Sequence, residues 1–195
     1  MALSVAESLA FIQSRRSIYP KEFEGTDVSK EEIEQLAEAA RYAPTHKHTE
    51  PWRFKIFQGE ATMRLAEVQV KALFQAKGET EMTLKKAEKM RFNAAHSGAV
   101  IAIVMQRDEL ERVSVEDEVW AVACAVQNMH LHAASLGLSG FWSTGAAVNF
   151  PEVRALLELK EKDLHMGWFY LGRYSAEKPR FKERARVSEV ATFMK

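Results

Sequence analysis

Gly98-Ala99-Val100-Ile101-Ala102-Ile103-Val104-Met105 is the stretch on which the fold turns. It is short and continuously apolar, and that favours a β-strand covered on both faces over a half-exposed one, which would alternate apolar and polar side chains. Downstream, residues 116–136 form a long helical pattern with few charges beyond the first turn, so a central helix is expected there, ended by Gly137 at a natural C-terminal cap position. A brief strand at 140–142, a helix at 152–159 opened by Pro151, and a further buried strand at 166–171 complete this half.

Upstream, Trp52, Phe54 and Ile56 alternate with Arg53 and Lys55, the period-2 mark of a half-covered strand that Phe57 interrupts. Residues 61–75 read as a helix, and Gly78 separates it from a Lys-rich, solvated helix at 84–92. Nearer the start, Ser4 with Glu7 and Ser29 with Glu32 are capping boxes. The first opens a helix with Val5, Leu9 and Ile12 at helical spacing up to Arg15; the second opens one that turns Ile33, Leu36, Ala37 and Ala40 inward and stops before Pro44. The expected order is α, α, β, α, α, β, α, β, α, β. Beyond Gly172 the chain loses amphipathic period and carries Arg173, Arg180, Arg184 and Arg186, so residues 174–195 read as an extended arm that must pack on something, such as a second copy of the fold.

No repeat or linker divides the 195 residues, and one domain over 1–195 is expected. Twenty-seven Lys and Arg balance 27 Asp and Glu, so no global positive field gathers nucleic acid or anionic lipid, and any anion site is local. Cys124 is the sole cysteine, which excludes an internal disulfide and reads as a buried, inert thiol in a reducing compartment. No run approaches the ~20 apolar residues of a membrane span, and the start lacks the pattern of a secretory signal; cytoplasmic residence is the expectation.

Four constellations could carry chemistry. Arg15, Arg16 and Ser17 can clamp a phosphate, since guanidinium forks match its oxygens; equally, cations favour helix C-termini. The loop Pro44, Thr45, His46, Lys47, His48, Thr49, Glu50, Pro51, Trp52 is stiff and polar, suited to hydrogen bonding a heterocycle edge. His46 with His48 could hold a metal, but no clear third and fourth ligands appear, and His130 and His132, at the same spacing on a helix, point to different faces, so no metal is expected. Gly140, Phe141, Trp142, Ser143, Thr144, Gly145 lets backbone approach a flat ligand, or is an ordinary turn with core aromatics. Arg184 and Arg186 alternate on the tail and could reach one anion, or be solvated. A Rossmann fingerprint, a Walker A loop and a nucleophile elbow are all missing.

Taken in order, these pieces resemble the nitroreductase family, in its short branch of NAD(P)H nitroreductases. The likeness runs through Arg15, Arg16, Ser17; Ala43, Pro44, His46, Lys47, Pro51, Trp52; Ala123, Cys124, Ala125, Val126; Gly140, Phe141, Trp142, Gly145; residues 167–172; and the basic tail. It implies an α+β sandwich with a mainly antiparallel sheet, and an intertwined homodimer with FMN at the interface. On that pattern Arg15 and Ser17, with Arg16 nearby and Arg184 and Arg186 from the tail, bind the flavin phosphate. Pro44, Thr45, His46 and His48 lie against the partner's flavin ring. Trp142 is near the ring, and Ser143 or Thr144 offers a backbone N–H to flavin N5. NADH or NADPH would pass hydride to the flavin and leave, and a nitroaromatic, quinone or similar acceptor would follow, with no side-chain nucleophile. Tyr19 stands where many relatives carry a cation, leaving Arg16, Lys47 or a backbone dipole to balance the reduced ring. Alternatives are a flavin-processing or dehalogenating enzyme of the same fold, with residues 61–93 as its lid, or a non-catalytic flavin- or ligand-binding dimer.

Overall fold

Both capping boxes are made. Ser4 Oγ accepts from Glu7 N at 3.3 Å while Glu7 accepts from Ser4 N at 2.9 Å, opening α1 (Val5–Ser14). Ser29 and Glu32 repeat the exchange at 3.1 and 2.8 Å to open α2 (Lys30–Ala40). Each satisfies amides that a first helical turn leaves without partners. The computed structural model describes residues 3–145, 149–174 and 183–194. Its further elements are β1 (Trp52–Gln58), α3 (Glu60–Lys77), α4 (Glu81–Ala95), β2 (Ala99–Met105), α5 (Val115–Ser135), β3 (Leu138–Ser143), α6 (Pro151–Leu156), β4 (Leu164–Arg173) and α7 (Val187–Val190). As far as β4 this is the order of helices and strands expected from the sequence.

The strands form one antiparallel sheet in the order β1-β2-β4-β3. β2 is internal and buried along its whole length, because its two sets of side chains enter different layers. Ala99, Ile101, Ile103 and Met105 pack with Leu36 of α2 and Val122 and Met129 of α5. Val100 and Ala102 pack with Leu65 of α3 and Val153 of α6. At roughly 1.5–3 kcal/mol per fully buried large aliphatic side chain, these two layers hold the strand, and the result is the α+β sandwich with an antiparallel sheet.

A register shift opposite Ile103 and Val104 bends β4 at Gly167, whose φ is 119°. A Cβ there would collide with the Ser143 carbonyl oxygen. Such a bulge re-aims a strand end, here the end of β3 at Ser143.

Several local expectations are corrected. α4 starts at Glu81, earlier than expected, because Thr80 and Thr83 exchange backbone-to-side-chain bonds at 2.7 and 3.2 Å in place of a Ser/Glu box. β3 and β4 run longer because pairing continues through Ser139 with Gly172 and Leu138 with Arg173. Cys124 is exposed, not buried: α5 turns Ala121, Val122, Ala125, Val126 and Met129 inward, and position 124 falls on the other side. The tail is not extended throughout, since residues 187–190 form the short α7; Arg180 lies outside the described residues. In α1 nothing is buried, and Val5, Leu9 and Ile12 are exposed. Among the described residues no helix is long and apolar enough to cross a membrane.

Candidate active site

After α1 the chain runs along the free edge of β3. Ser17 bridges Gly140 in parallel, Ile18 N donates to Gly140 O at 3.2 Å, and Ser139 Oγ donates to Arg16 O at 3.3 Å. Ile18, 2% exposed, anchors the segment in the core. Gly140 is required at this crossing because a Cβ would collide with the Phe169 ring.

This register separates the two arginines. Arg16 folds back, its Nη1 donating to the carbonyls of Gln13 and Arg15. Arg15 instead donates to Ser17 Oγ at 3.3 Å, and among the described residues no carboxylate pairs with it. Its pKa is lowered by burial first, then by the charges of Arg184 and Arg16. Arg184 therefore bears on Arg15 from the opposite end of the chain. A half-buried cation pressed by two others, with no carboxylate among them, is a site that an anion would relieve. Arg186 directly precedes α7 and is exposed; its carbonyl accepts from Glu189 N at 2.9 Å, while its side chain makes no hydrogen bond or ion pair among the described residues.

Beside this segment lies a cavity of 260 Å3 lined by Ser14, Arg16, His130 and Ser139, among others. His130 is 6% exposed and meets Phe169 edge-on at 5.1 Å, and its Nε2 has no hydrogen bond of ordinary geometry. Burial, then the charge of Arg15, pushes its pKa down to about 4, against a smaller pull upward from the carbonyls of Arg16 and Gly140. Near neutral pH the imidazole is thus uncharged and adds nothing to the positive cluster.

At the far end of β3, Trp142 packs against the core and its Nε1 donates to Met166 O at 3.0 Å. Its contacts are those of a core residue. Thr144 is exposed, whereas Ser143 and Gly145 line a second cavity, of 210 Å3, between the sheet and the α3–α4 pair. Tyr19 turns onto Phe141 with ring centroids 4.3 Å apart.

The loop after α2 is built differently. Thr45 Oγ1 accepts from Glu50 N at 3.1 Å, His46 Nδ1 meets Asp117 Oδ2 at 3.3 Å, and Lys47 Nζ donates to Arg112 O at 3.0 Å. Pro44 and His48 are exposed. Lys47, His48 and Glu50 take φ values of 50, 54 and 43°, a left-handed backbone that costs on the order of 1 kcal/mol or more per side-chain-bearing residue. Strain of this kind persists where surrounding contacts fix the chain, here those to Asp117 and Arg112. Along α5, Asp117 is roughly 20 Å from His130 at 1.5 Å per residue. The loop and the arginine cluster therefore stand toward opposite ends of that helix. Arg16 and Lys47, the cations considered in Tyr19's stead, are both bonded to backbone carbonyls.

His130 is buried while His132 sits beside Ser135 at 3.3 Å, and among the described residues no group of three or more His, Cys, Asp or Glu could hold a metal. The sequence reading missed Gln69, Lys77, Lys86 and Lys89, which line the second cavity. A signal was present: Gln69, Leu73 and Lys77 share one face of α3 at i, i+4, i+8, and the Lys-rich helix α4 lies beside it.

A family model described as "Nitroreductase family" matches residues 12–173. The chain belongs to this family. "Putative NAD(P)H nitroreductase YfhC" of Bacillus subtilis is 30% identical over 183 residues, covering 94% of this chain and 92% of its own. Among solved structures, a nitroreductase-like family protein from Bacillus cereus superposes with a TM-score of 0.78 at 24% identity, covering 100% of this chain and 97% of that one. The FMN-dependent nitroreductase NfnB from Mycobacterium smegmatis, solved in complex with NADPH, gives 0.74 at 18%, covering 98% and 100%. These structures share the nitroreductase fold described above, and the nitroreductase family is one of oxidoreductases, so the chain is an enzyme of that class.

Proposed function

We propose that the chain is an FMN-dependent NAD(P)H oxidoreductase, a single domain acting as a homodimer on a nitroaromatic, a quinone or a similar conjugated acceptor. The observation that carries this is a half-buried Arg15 that donates to Ser17 Oγ at 3.3 Å and has no carboxylate partner among the described residues, with the charge of Arg184 among the causes that lower its pKa. Such a donor set fits a phosphate: charge-assisted bonds contribute about 1.5–3 kcal/mol each, and the cations gain an anion. Arg15, Ser17 and Arg184 would hold the FMN phosphate, with Arg186 next along the chain, while Ser143 and Thr144 at the end of β3 would meet the ring. When bound, FMN supplies a group that takes two electrons as hydride at N5 and hands them on.

For a nitro compound the overall change is RNO2 + NAD(P)H + H+ to RNO + NAD(P)+ + H2O. The chain's own part is to bind, orient and exclude water, and it calls for no side-chain nucleophile. Two observations support the dimer: the exposed apolar face of α1, and the loop of Pro44, Thr45, His46 and His48 standing far from its own arginine cluster, where a partner's cluster could receive it. The arm at 174–195 would pack on that partner. The test is an absorbance spectrum of the purified protein with mass identification of the released chromophore, followed by anaerobic bleaching with NADH or NADPH. A colourless protein that takes up no FMN defeats the proposal.

A further inference from the structure

The 210 Å3 cavity between the sheet and α3–α4 is built to receive something negative. Lys77, Lys86 and Lys89 stand around it, and none has a carboxylate partner among the described residues. By contrast Lys85, the neighbour on α4, is paired with Glu81 at 2.6 Å. Two polar side chains in the wall can donate as well. Gln69 is 3% exposed and its amide makes no hydrogen bond among the described residues. Trp168 is 2% exposed and its indole Nε1 is buried without an acceptor. A buried polar group left unmade is costly, so the Trp168 indole N–H in the cavity wall, beside the Gln69 amide and three ammonium groups without a carboxylate partner among the described residues, points to a ligand that supplies acceptors. Ser143, which the proposed function sets beside the flavin ring, lines the same cavity.

We propose that this cavity takes the anionic group of a redox partner: a carboxylate or phosphate carried by the acceptor or by the dinucleotide. The three lysines attract and neutralise it, and the Gln69 amide and Trp168 Nε1 donate to its oxygens or to polar atoms beside them. Electrons and protons move as in the balanced reaction above; the cavity adds binding and orientation. The assignment of the ligand as a redox partner rests on the proposed function, whereas anion binding does not.

The test begins with calorimetric titration of the purified protein with benzoate and with benzamide. Benzoate should bind tighter, and Lys86→Gln/Lys89→Gln should weaken it by about tenfold, the sum of two modest charge contacts, with benzamide unaffected and the difference shrinking in high salt. Gln69→Leu should weaken benzoate too, and Lys85→Gln should not. Two matched pairs then identify the source: 4-nitrobenzoate against its methyl ester, and NADPH against NADH. The pair whose kcat/KM ratio collapses in the double lysine variant names the molecule that carries the anion. Equal binding of benzoate and benzamide, or a double variant that alters neither binding nor either ratio, overturns the proposal. Flavin content and bleaching are recorded on the same samples: intact values with no charge discrimination sink this inference alone, and absent flavin sinks the functional reading while the benzoate titration still decides anion binding.

Discussion

Arg184 presses its charge onto Arg15, although nearly the whole fold separates them in sequence. The β3 edge fixes one of the pair through Ser17 and Gly140, and the tail delivers the other. Neither residue gains stability from this approach, since like charges repel. Their proximity is intelligible as preparation for an anion.

Arg15→Ala and Arg184→Ala should therefore each weaken FMN binding about 10- to 100-fold, the equivalent of one or two charge-assisted bonds. Stability without ligand should stay level or rise slightly. Fluorescence titration of flavin-free protein, beside a thermal melt, measures both. An unchanged FMN affinity in the double variant would mean that the phosphate is held elsewhere.

His130 gives a pH signature with a defined sign. Its pKa is down to about 4 in the folded chain, from 6.5, through burial and then Arg15. The unfolded chain thus takes up a proton that the folded one refuses, so stability is full above 6.5 and is lost as pH falls toward 4. Between about pH 7.5 and pH 5 the loss from this group is about 2 kcal/mol. Urea unfolding at the two pH values should show it, and His130→Gln should shrink the difference. An equally steep loss in the variant would assign the effect to other groups.

Gly140→Ala should lower the melting temperature sharply, because the new methyl group meets the ring of Phe169, fully buried in the core and unable to retreat. Overpacking of this kind costs typically 1–3 kcal/mol. Adding Phe169→Leu should return part of the loss. The absence of any rescue would show that the glycine answers to backbone conformation instead.

Much of this architecture was legible in the sequence because local and global signals agree. The run from Ala99 to Met105 is apolar on both faces, and both faces are covered; Ser4 and Ser29 announce their helices chemically. What the sequence hid depends on three-dimensional neighbours. Arg15 and Arg16 look alike in a string, yet the β3 register turns one toward Ser17 and the other back onto helix carbonyls. Gln69 and Lys86 sit in helices whose polarity reads as ordinary solvation, and only the packing of α3 beside α4 brings them to one cavity. Cys124 read as buried because cysteine usually is, but its angular position on α5 decided otherwise.

The buried pair Arg107–Glu118 supplies the last prediction. Glu118 has a fully buried side chain and Arg107 one only 9% exposed; Nη1 of the arginine donates to Glu118 Oε2 at 2.5 Å. Glu118 Oε1 accepts from Asp108 N at 3.1 Å, and Arg107 Nη2 donates to Val113 O at 2.7 Å. Together they tie the loop after β2 to the start of α5, the same region that holds Lys47 through Arg112 O and His46 through Asp117. Removing the Glu118 charge leaves the buried Arg107 with only the 4.0 Å contact to Glu111 as a carboxylate partner among the described residues, so Glu118→Gln should cost about 3 kcal/mol. Replacing both by Met should cost much less, because the desolvation of two ions disappears with their attraction. A double-mutant cycle by urea unfolding decides it. If the double variant is as unstable as the worse single one, the pair matters for the backbone bonds to Asp108 and Val113 and not for its charge balance.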